Sequence, residues 1–169
     1  MISFGIFDRP EAYRSLCLLL ILLAAPVQTC GSEPAPTEAA DLETHLTLKN
    51  ASGKESTTFR AGEPLTLVVT IRNESDAIRT LALPSSQTCD FVISGPAGKE
   101  IWRWSAGRMF AQMLTEVTLG AGESREFVAT WDQTTKDRPS LAPGEYQAVG
   151  MVPVKAPGTR SEPIRFTVR

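Results

Sequence analysis

The sequence has few of the residues that build metal and redox sites. Its 169 residues include one histidine, His45, and three cysteines, Cys17, Cys30 and Cys89. A structural zinc site takes three or four nitrogen or sulfur ligands, and these cysteines have the spacing of neither a zinc motif nor a redox pair. We therefore predict no metal and no cofactor.

An excess of positive charge is also missing. Lys and Arg number 17 against 19 Asp and Glu, which gives a net charge of −2, and no run or stripe of basic residues occurs. Because nucleic-acid-binding domains carry such basic patches, we predict no nucleic-acid partner. Hydrophobic residues at 42% and charged residues at 21% are instead typical of a globular protein that buries a core.

The chain lacks the short motifs of common catalytic sites: a Gly-x-Ser-x-Gly elbow, a phosphate-binding loop or a dinucleotide fingerprint. Ser105 follows a predicted strand, but a serine nucleophile needs a base within hydrogen-bond reach. His45, the one imidazole, is predicted to face water. Asp90 and Glu100 share a predicted hairpin, where we expect solvated carboxylates. We predict that the protein is not an enzyme.

An apolar run near the amino terminus predicts export. Residues 16–25 form this run, which is shorter than the roughly 20 residues that a bilayer span needs and follows Arg9 and Arg14. Such a layout is typical of a secretory signal peptide, and we assign residues 1–29 to it.

The end of this leader is similar to a bacterial lipoprotein box. Residues 27–30 read Val-Gln-Thr-Cys and are followed by Gly-Ser, which predicts lipidation of Cys30 and anchoring of the protein to a membrane of the cell envelope. Residues 30–41 have no apolar periodicity and contain two prolines, so we predict a disordered linker there. The alternative is cleavage at an ordinary site, which gives a soluble secreted protein and leaves Cys30 a free thiol.

From residue 42 onward the chain shows the pattern of short β-strands. Leu42, Thr44, Leu46 and Leu48 alternate with polar residues, and residues 65–72 form the clearest alternating row. About nine such strands with turn signals between them predict an all-β, antiparallel, immunoglobulin-like β-sandwich over residues 42–169.

A predicted hairpin at residues 89–104 carries the largest apolar side chains. Its strands flank a Gly-Pro-Ala-Gly turn, and Trp102 and Trp104 share one face of the second strand. We expect both indoles to be structural, at the centre of the core. Sugar binding by exposed indoles is the alternative. Cys89 is predicted to be a small buried residue without a disulfide partner.

The hairpin resembles the signature of the intracellular proteinase inhibitor family, the BsuPI domain. The similar residues follow the pattern Gln-x-x-Asp-Phe, a glycine turn, Trp-Arg-Trp-Ser and Phe-x-Gln, and include Asp90, Phe91, Trp102, Trp104, Phe110 and Gln112. Gly-Glu turns on both sides extend the resemblance over about residues 42–152. It implies a small β-sandwich and, for the founding type, inhibition of serine proteinases. We expect the six motif residues to be structural.

Two loops have the composition of a proteinase-binding site. The first contains Ser105, Gly107, Arg108 and Met109 and would offer Arg108 to a trypsin-like pocket; the second, residues 132–141, offers Lys136 and Arg138. We therefore predict a monomeric inhibitor whose partners are a protein, such as a serine proteinase, and a membrane reached through lipidated Cys30. The alternative is a non-inhibitory interaction module of the envelope that binds a protein partner or adds a strand at a sheet edge.

Overall fold

The computed structural model describes residues 41–137, 140–154, 156 and 159–169. The predicted signal peptide, the lipidation site Cys30 and the linker up to residue 40 lie outside the described residues, as do Arg138 and Pro139 of the second loop. Those assignments stay predictions. Among the described residues, no helix has the length and apolar character needed to cross a membrane.

Ten strands make up the regular structure of the described part of the chain. In chain order they are β1 (Leu42–Lys49), β2 (Thr58–Phe59), β3 (Leu65–Asn73), β4 (Arg79–Leu83), β5 (Asp90–Ser94), β6 (Glu100–Arg103), β7 (Thr115–Leu119), β8 (Ser124–Trp131), β9 (Gly144–Met151) and β10 (Ile164–Val168). The alternating rows of the sequence thus correspond to strands, with the two-residue β2 as the shortest.

The strands form three sheets: β1-β3-β8, β2-β10-β9-β5-β6 and the ribbon β4-β7. Neighbouring strands pair antiparallel, except that β10 pairs with β2 in parallel. The predicted all-β antiparallel sandwich is confirmed. Its immunoglobulin-like detail stays a prediction.

The main core lies between the three-stranded and the five-stranded sheets. The predicted alternation of β1 and β3 is present, with every second side chain buried and His45 exposed, as expected for strands that have one face on the core. The buried side chains of this core are Leu46, Leu48, Phe59, Leu65, Leu67, Val69, Cys89, Phe91, Ile93, Ala129, Trp131, Leu141, Ala148, Phe166 and Val168. In a second cluster, side chains of the β4-β7 ribbon pack with residues from β1, β3 and the segment after β9; its buried members are Leu42, Ile71, Leu81, Leu83, Val117, Leu119 and Val152.

Two Ala-Gly-Glu turns, at residues 61–63 and 121–123, have the same construction. In each the glycine has a positive φ, +77° at Gly62 and +67° at Gly122, which favours a residue without a Cβ. The glutamate that follows accepts a hydrogen bond from the backbone N–H three residues earlier, at 2.9 Å for Glu63 and 2.7 Å for Glu123. These turns lead into β3 and β8, which are therefore started by the same local chemistry.

Gly150 marks a close approach between β9 and the opposite sheet. A Cβ at this position would lie 2.9 Å from Cβ and Cγ2 of Val69 and 3.2 Å from Cδ1 of Leu46. Distances below about 3 Å are inside van der Waals contact, and Val69 is a β-branched residue that cannot rotate away freely. The spacing of the two sheets at this point therefore depends on a residue without a side chain.

We expect Gly150→Ala to lower the free energy of unfolding by about 1–3 kcal/mol, because the added methyl group overpacks the core. Urea denaturation measures the change. Gly95→Ala is the matched control, since its Cβ would meet its nearest neighbour, Cγ2 of Ile101, at an ordinary 3.8 Å. Equal stability of the two variants would contradict the close approach.

Candidate functional site

The carboxylate of Asp90 lies at the start of β5 and is 5% exposed. Its Oδ2 accepts hydrogen bonds from Nη1 of Arg103 at 2.7 Å and from Oγ of Ser105 at 2.9 Å. Its Oδ1 accepts from the backbone N–H groups of Phe91 at 2.9 Å and Ser105 at 3.1 Å. The expectation of a solvated carboxylate at Asp90 was wrong, because the residues that follow β6 fold over this face of β5 and supply donors to it.

Arg103 joins Asp90 to the surface. Its Nε and Nη2 donate to the two carboxylate oxygens of Glu100 at 3.1 and 2.7 Å, while Nη1 reaches Asp90. Hydrogen bonds to Glu100 and then to Asp90 raise the pKa of Arg103 above its ordinary value. The guanidinium therefore stays charged, and Asp90 has a fixed counter-ion within the hairpin. Glu100 is exposed, in agreement with the expectation for that carboxylate.

Ser105 is engaged in this network and has no imidazole beside it. Its hydroxyl donates to Asp90, whereas His45 is exposed on β1, in the three-stranded sheet. The N–H of the preceding residue, Trp104, donates to the Phe91 carbonyl at 2.9 Å. The arrangement thus fastens the chain that leaves β6 onto β5.

Residues 105–112, which we call the exposed segment, begin in two consecutive turns. The N–H of Ala106 donates to the Arg103 carbonyl at 3.2 Å, and that of Arg108 donates to the Ser105 carbonyl at 3.1 Å. Gly107 has a φ of +75°, which glycine adopts without strain. The turns bring Arg108 back over the hairpin.

The Arg108 side chain lies on Trp104. Its guanidinium carbon is 4.4 Å from the centre of the indole ring, and its Nε donates to the Trp104 carbonyl at 2.8 Å. Phe110 packs near the same indole, with ring centres 5.8 Å apart. Trp104 is therefore a platform that holds two side chains of the exposed segment.

The far end of the exposed segment is fastened to the loop before β5. Ser86 and Ala111 exchange two hydrogen bonds, from the Ser86 N–H to the Ala111 carbonyl at 3.0 Å and from the Ala111 N–H to Oγ of Ser86 at 2.9 Å. Gln112 is exposed, and its Nε2 lies 3.4 Å from the Phe110 carbonyl. Met109 lies between the two fastened ends and is 98% exposed.

Both tryptophans of the hairpin are half-buried against the main core. Trp102 stacks on Trp131 of β8, with ring centres 4.8 Å apart and planes 23° apart, and Trp104 carries Arg108 and Phe110. Sugar binding needs an open ring face, and here one face of Trp102 packs on Trp131. The geometry therefore favours the structural interpretation of the two indoles.

Two further buried side chains are those of Cys89, which precedes β5, and Gln133, which follows β8. The Cys89 thiol is free and buried, and burial raises its pKa to about 11, so it stays protonated at neutral pH. Gln133 is fully buried with a φ of 64°; its Oε1 accepts from the Gly62 N–H at 3.1 Å, and its Nε2 donates to two carbonyls, those of Arg60 and Glu63, each at 2.8 Å. Nothing in the sequence marks Gln133, since a polar residue in a loop gives no sign of burial.

The second predicted loop borders an open groove of about 410 Å³ that also touches the β5–β6 turn and Tyr146. Lys136 lines this groove. The hydrogen bond from the Thr134 N–H to Asp132, 2.9 Å long, lowers the pKa of Asp132. No group of three or more histidine, cysteine or acidic side chains in the described part of the chain is placed to hold a metal ion.

The model of one protein family, BsuPI, described as intracellular proteinase inhibitor, matches residues 53–157. The chain belongs to the BsuPI family. The matched region contains the Asp90 network, the Trp104 platform and the whole exposed segment. In this chain the family motif is thus the part of the domain where the buried Asp90 carboxylate and the half-buried indoles hold a surface segment in place.

Solved structures similar to this BsuPI protein include three of differing size. The first is the alkylpurine DNA glycosylase AlkC of Pseudomonas fluorescens bound to DNA with an abasic site analog, at 17% identity and a TM-score of 0.45, with 76% of this chain and 30% of that chain covered. The second is the sporulation control protein Spo0M of Bacillus subtilis, at 15% identity and a TM-score of 0.45, with 76% and 49% covered. The third is the CARDB domain of the PF1109 protein of Pyrococcus furiosus with di-metal ions, at 12% identity and a TM-score of 0.41, with 76% and 90% covered. The chain therefore spans less than half the length of AlkC and Spo0M. No curated protein matches the chain.

We expect Asp90→Ala to lower the free energy of unfolding by about 3 kcal/mol, because it removes the acceptor for a charged donor and for three further donors near the core. Glu100→Ala is the matched control: it removes the exposed partner of the same arginine and should cost less than about 1 kcal/mol. Chemical denaturation measures both. Similar losses in the two variants would contradict the central role of Asp90.

Proposed function

We propose that this BsuPI protein inhibits serine proteinases by binding them, without catalysis of its own, and that the exposed segment of residues 105–112 enters the enzyme cleft. Membership of a family described as proteinase inhibitors supports the activity. The choice of this site rests on one observation: hydrogen bonds hold both ends of the segment, while its middle is exposed to solvent.

The energetics of binding favour a segment of this kind. A flexible loop loses conformational entropy when an enzyme orders it, and a preorganised loop avoids most of that cost. At the first end, Asp90 and the two turns hold the chain, and at the far end the exchanged hydrogen bonds with Ser86 do so. A stable complex buries about 1,600 Å² of surface in total, so the enzyme would contact the flanking turns as well as the segment.

We also propose that the protein catalyses no reaction of its own. Ser105 is the one serine within the exposed segment, and its hydroxyl donates to a carboxylate that already accepts from Arg103. A hydroxyl held in this way by an acceptor paired with arginine lacks the general base that nucleophilic catalysis needs. The protein would act as a stoichiometric binder.

We further propose that the protein is exported and held at a membrane of the cell envelope through lipidated Cys30, with the BsuPI domain as a monomer. The apolar run at residues 16–25 and the residues around Cys30 support this. The enzymes it meets would then be proteinases outside the cytoplasm. The alternative is a soluble secreted form.

We expect the full chain, purified in detergent, to inactivate a trypsin-, chymotrypsin- or subtilisin-like enzyme at a one-to-one ratio in an active-site titration. Val128→Asp is the control variant, since Val128 is 58% exposed on β8, in the sheet opposite the hairpin, and should leave inhibition unchanged. No inhibition at about micromolar concentration would reject the proposal and favour a non-inhibitory interaction module.

We expect mass spectrometry of the mature protein to show a chain that begins at Cys30 and carries acyl groups on that residue. Each buried CH₂ contributes about 0.8 kcal/mol to membrane binding, so several chains give a stable anchor. Cys30→Ser should release the protein from membranes into the soluble fraction, and Cys17→Ser is the matched control. An unmodified chain that begins at another residue would reject the anchor.

A further inference from the structure

Met109 is the most exposed large apolar side chain of the described residues, at 98%. Burying a methionine is favourable by about 1.5–3 kcal/mol, so a side chain fully in water keeps that free energy available for a partner. Single exposed apolar residues are common on protein surfaces, and exposure alone would not distinguish Met109. Its neighbours in the chain do.

The residues on either side of Met109 are held on the protein, and Met109 is not. Arg108 is held by its N–H to the Ser105 carbonyl, its Nε to the Trp104 carbonyl and its guanidinium over the indole. Phe110 packs toward the same indole, and the next residue exchanges its hydrogen bonds with Ser86. The Met109 side chain therefore projects into solvent from a segment that is held on both sides of it.

The backbone of Met109 is also open. Among the hydrogen bonds of the described residues, none involves its N–H or its carbonyl. Peptides bound in extended form at the edge of a partner use such groups for main-chain hydrogen bonds, while pockets for side chains give specificity. Met109 thus offers both kinds of contact at the same position.

We propose that Met109 is the residue that enters the primary specificity pocket of the inhibited enzyme, and that this enzyme is a serine proteinase with an apolar pocket. This rests on the proposed function and deepens it. A trypsin-like pocket has an aspartate at its base and selects a basic side chain, whereas a hydrophobic slot selects an apolar one. Arg108, the basic candidate, would have to leave both its hydrogen bond and the indole face before it could enter such a pocket.

The first test compares two exposed methionines of the same stretch of chain. Met109→Asp should raise the inhibition constant against a chymotrypsin- or subtilisin-like enzyme by on the order of 100-fold, because a charge replaces an apolar side chain in the pocket. Met113, which is 59% exposed and follows the exposed segment, gives the matched control: Met113→Asp should change the constant by less than about threefold. Thermal melting of the wild-type protein and of both variants checks that each variant keeps the fold.

The second test exchanges the specificity. Met109→Arg in the full chain should gain inhibition of a trypsin-like enzyme and lose most of its inhibition of the apolar-pocket enzyme, because only the side chain that enters the pocket sets this preference. A reciprocal change of this kind is not expected from a residue that acts through the stability of the fold.

The results of these tests distinguish a failure of this inference from a failure of the proposed inhibitor function. If the wild-type chain inhibits an apolar-pocket enzyme and Met109→Asp behaves like Met113→Asp, the inference fails and the inhibitor function stands. The same holds if the wild-type chain inhibits only a trypsin-like enzyme and Arg108→Ala removes that inhibition. If the wild-type chain inhibits none of the enzymes, both proposals fail together.

Discussion

The exposed segment depends on one buried charge, the carboxylate of Asp90. An ionised carboxylate out of water is costly unless donors surround it, and here Arg103, the N–H and hydroxyl of Ser105 and the N–H of Phe91 fill both of its oxygens. Two of these donors belong to Ser105, the first residue of the exposed segment. The stability of the hairpin and the position of the segment are therefore set by the same group.

The tryptophans link the core to the surface in a second way. Trp102 stacks on Trp131 across the sandwich, and Trp104 packs against the core while it also contacts Arg108 and Phe110. An aromatic ring has a large apolar area and a face that attracts a guanidinium, so it can fill a core and hold a surface arginine at once. Of these motif residues, Asp90 holds the start of the exposed segment and Trp104 contacts Arg108 and Phe110 within it.

The strands and turns that depend on local sequence patterns could be predicted from the sequence. Alternation placed β1 and β3, and the Gly-Glu turns have the conformation that glycine permits. Alternation does not tell whether the second face of a strand meets water, and so it missed the burial of Asp90, which residues beyond β6 cover. Strand order and the role of Gln133, whose amide bonds residues about 70 positions away, depend on contacts between distant parts of the chain. Composition offered Arg108 to a trypsin-like pocket, but it cannot show that the guanidinium lies on the indole of Trp104.

No disulfide fastens the exposed segment in the described part of the chain, where Cys89 is a free thiol, although small scaffolds often need such a covalent link. The structure offers another way to hold such a loop. Hydrogen bonds to a charged group contribute about 1.5–3 kcal/mol each, and the Asp90 network stands at the point where the segment begins, with Ser86 at the point where it ends. Fastening the ends of a short segment removes most of its conformational freedom whether the fastening is covalent or not. The difference is that this fastening is only as stable as the sandwich beneath it, so the rigidity of the segment and the folding of the core are one property of the molecule.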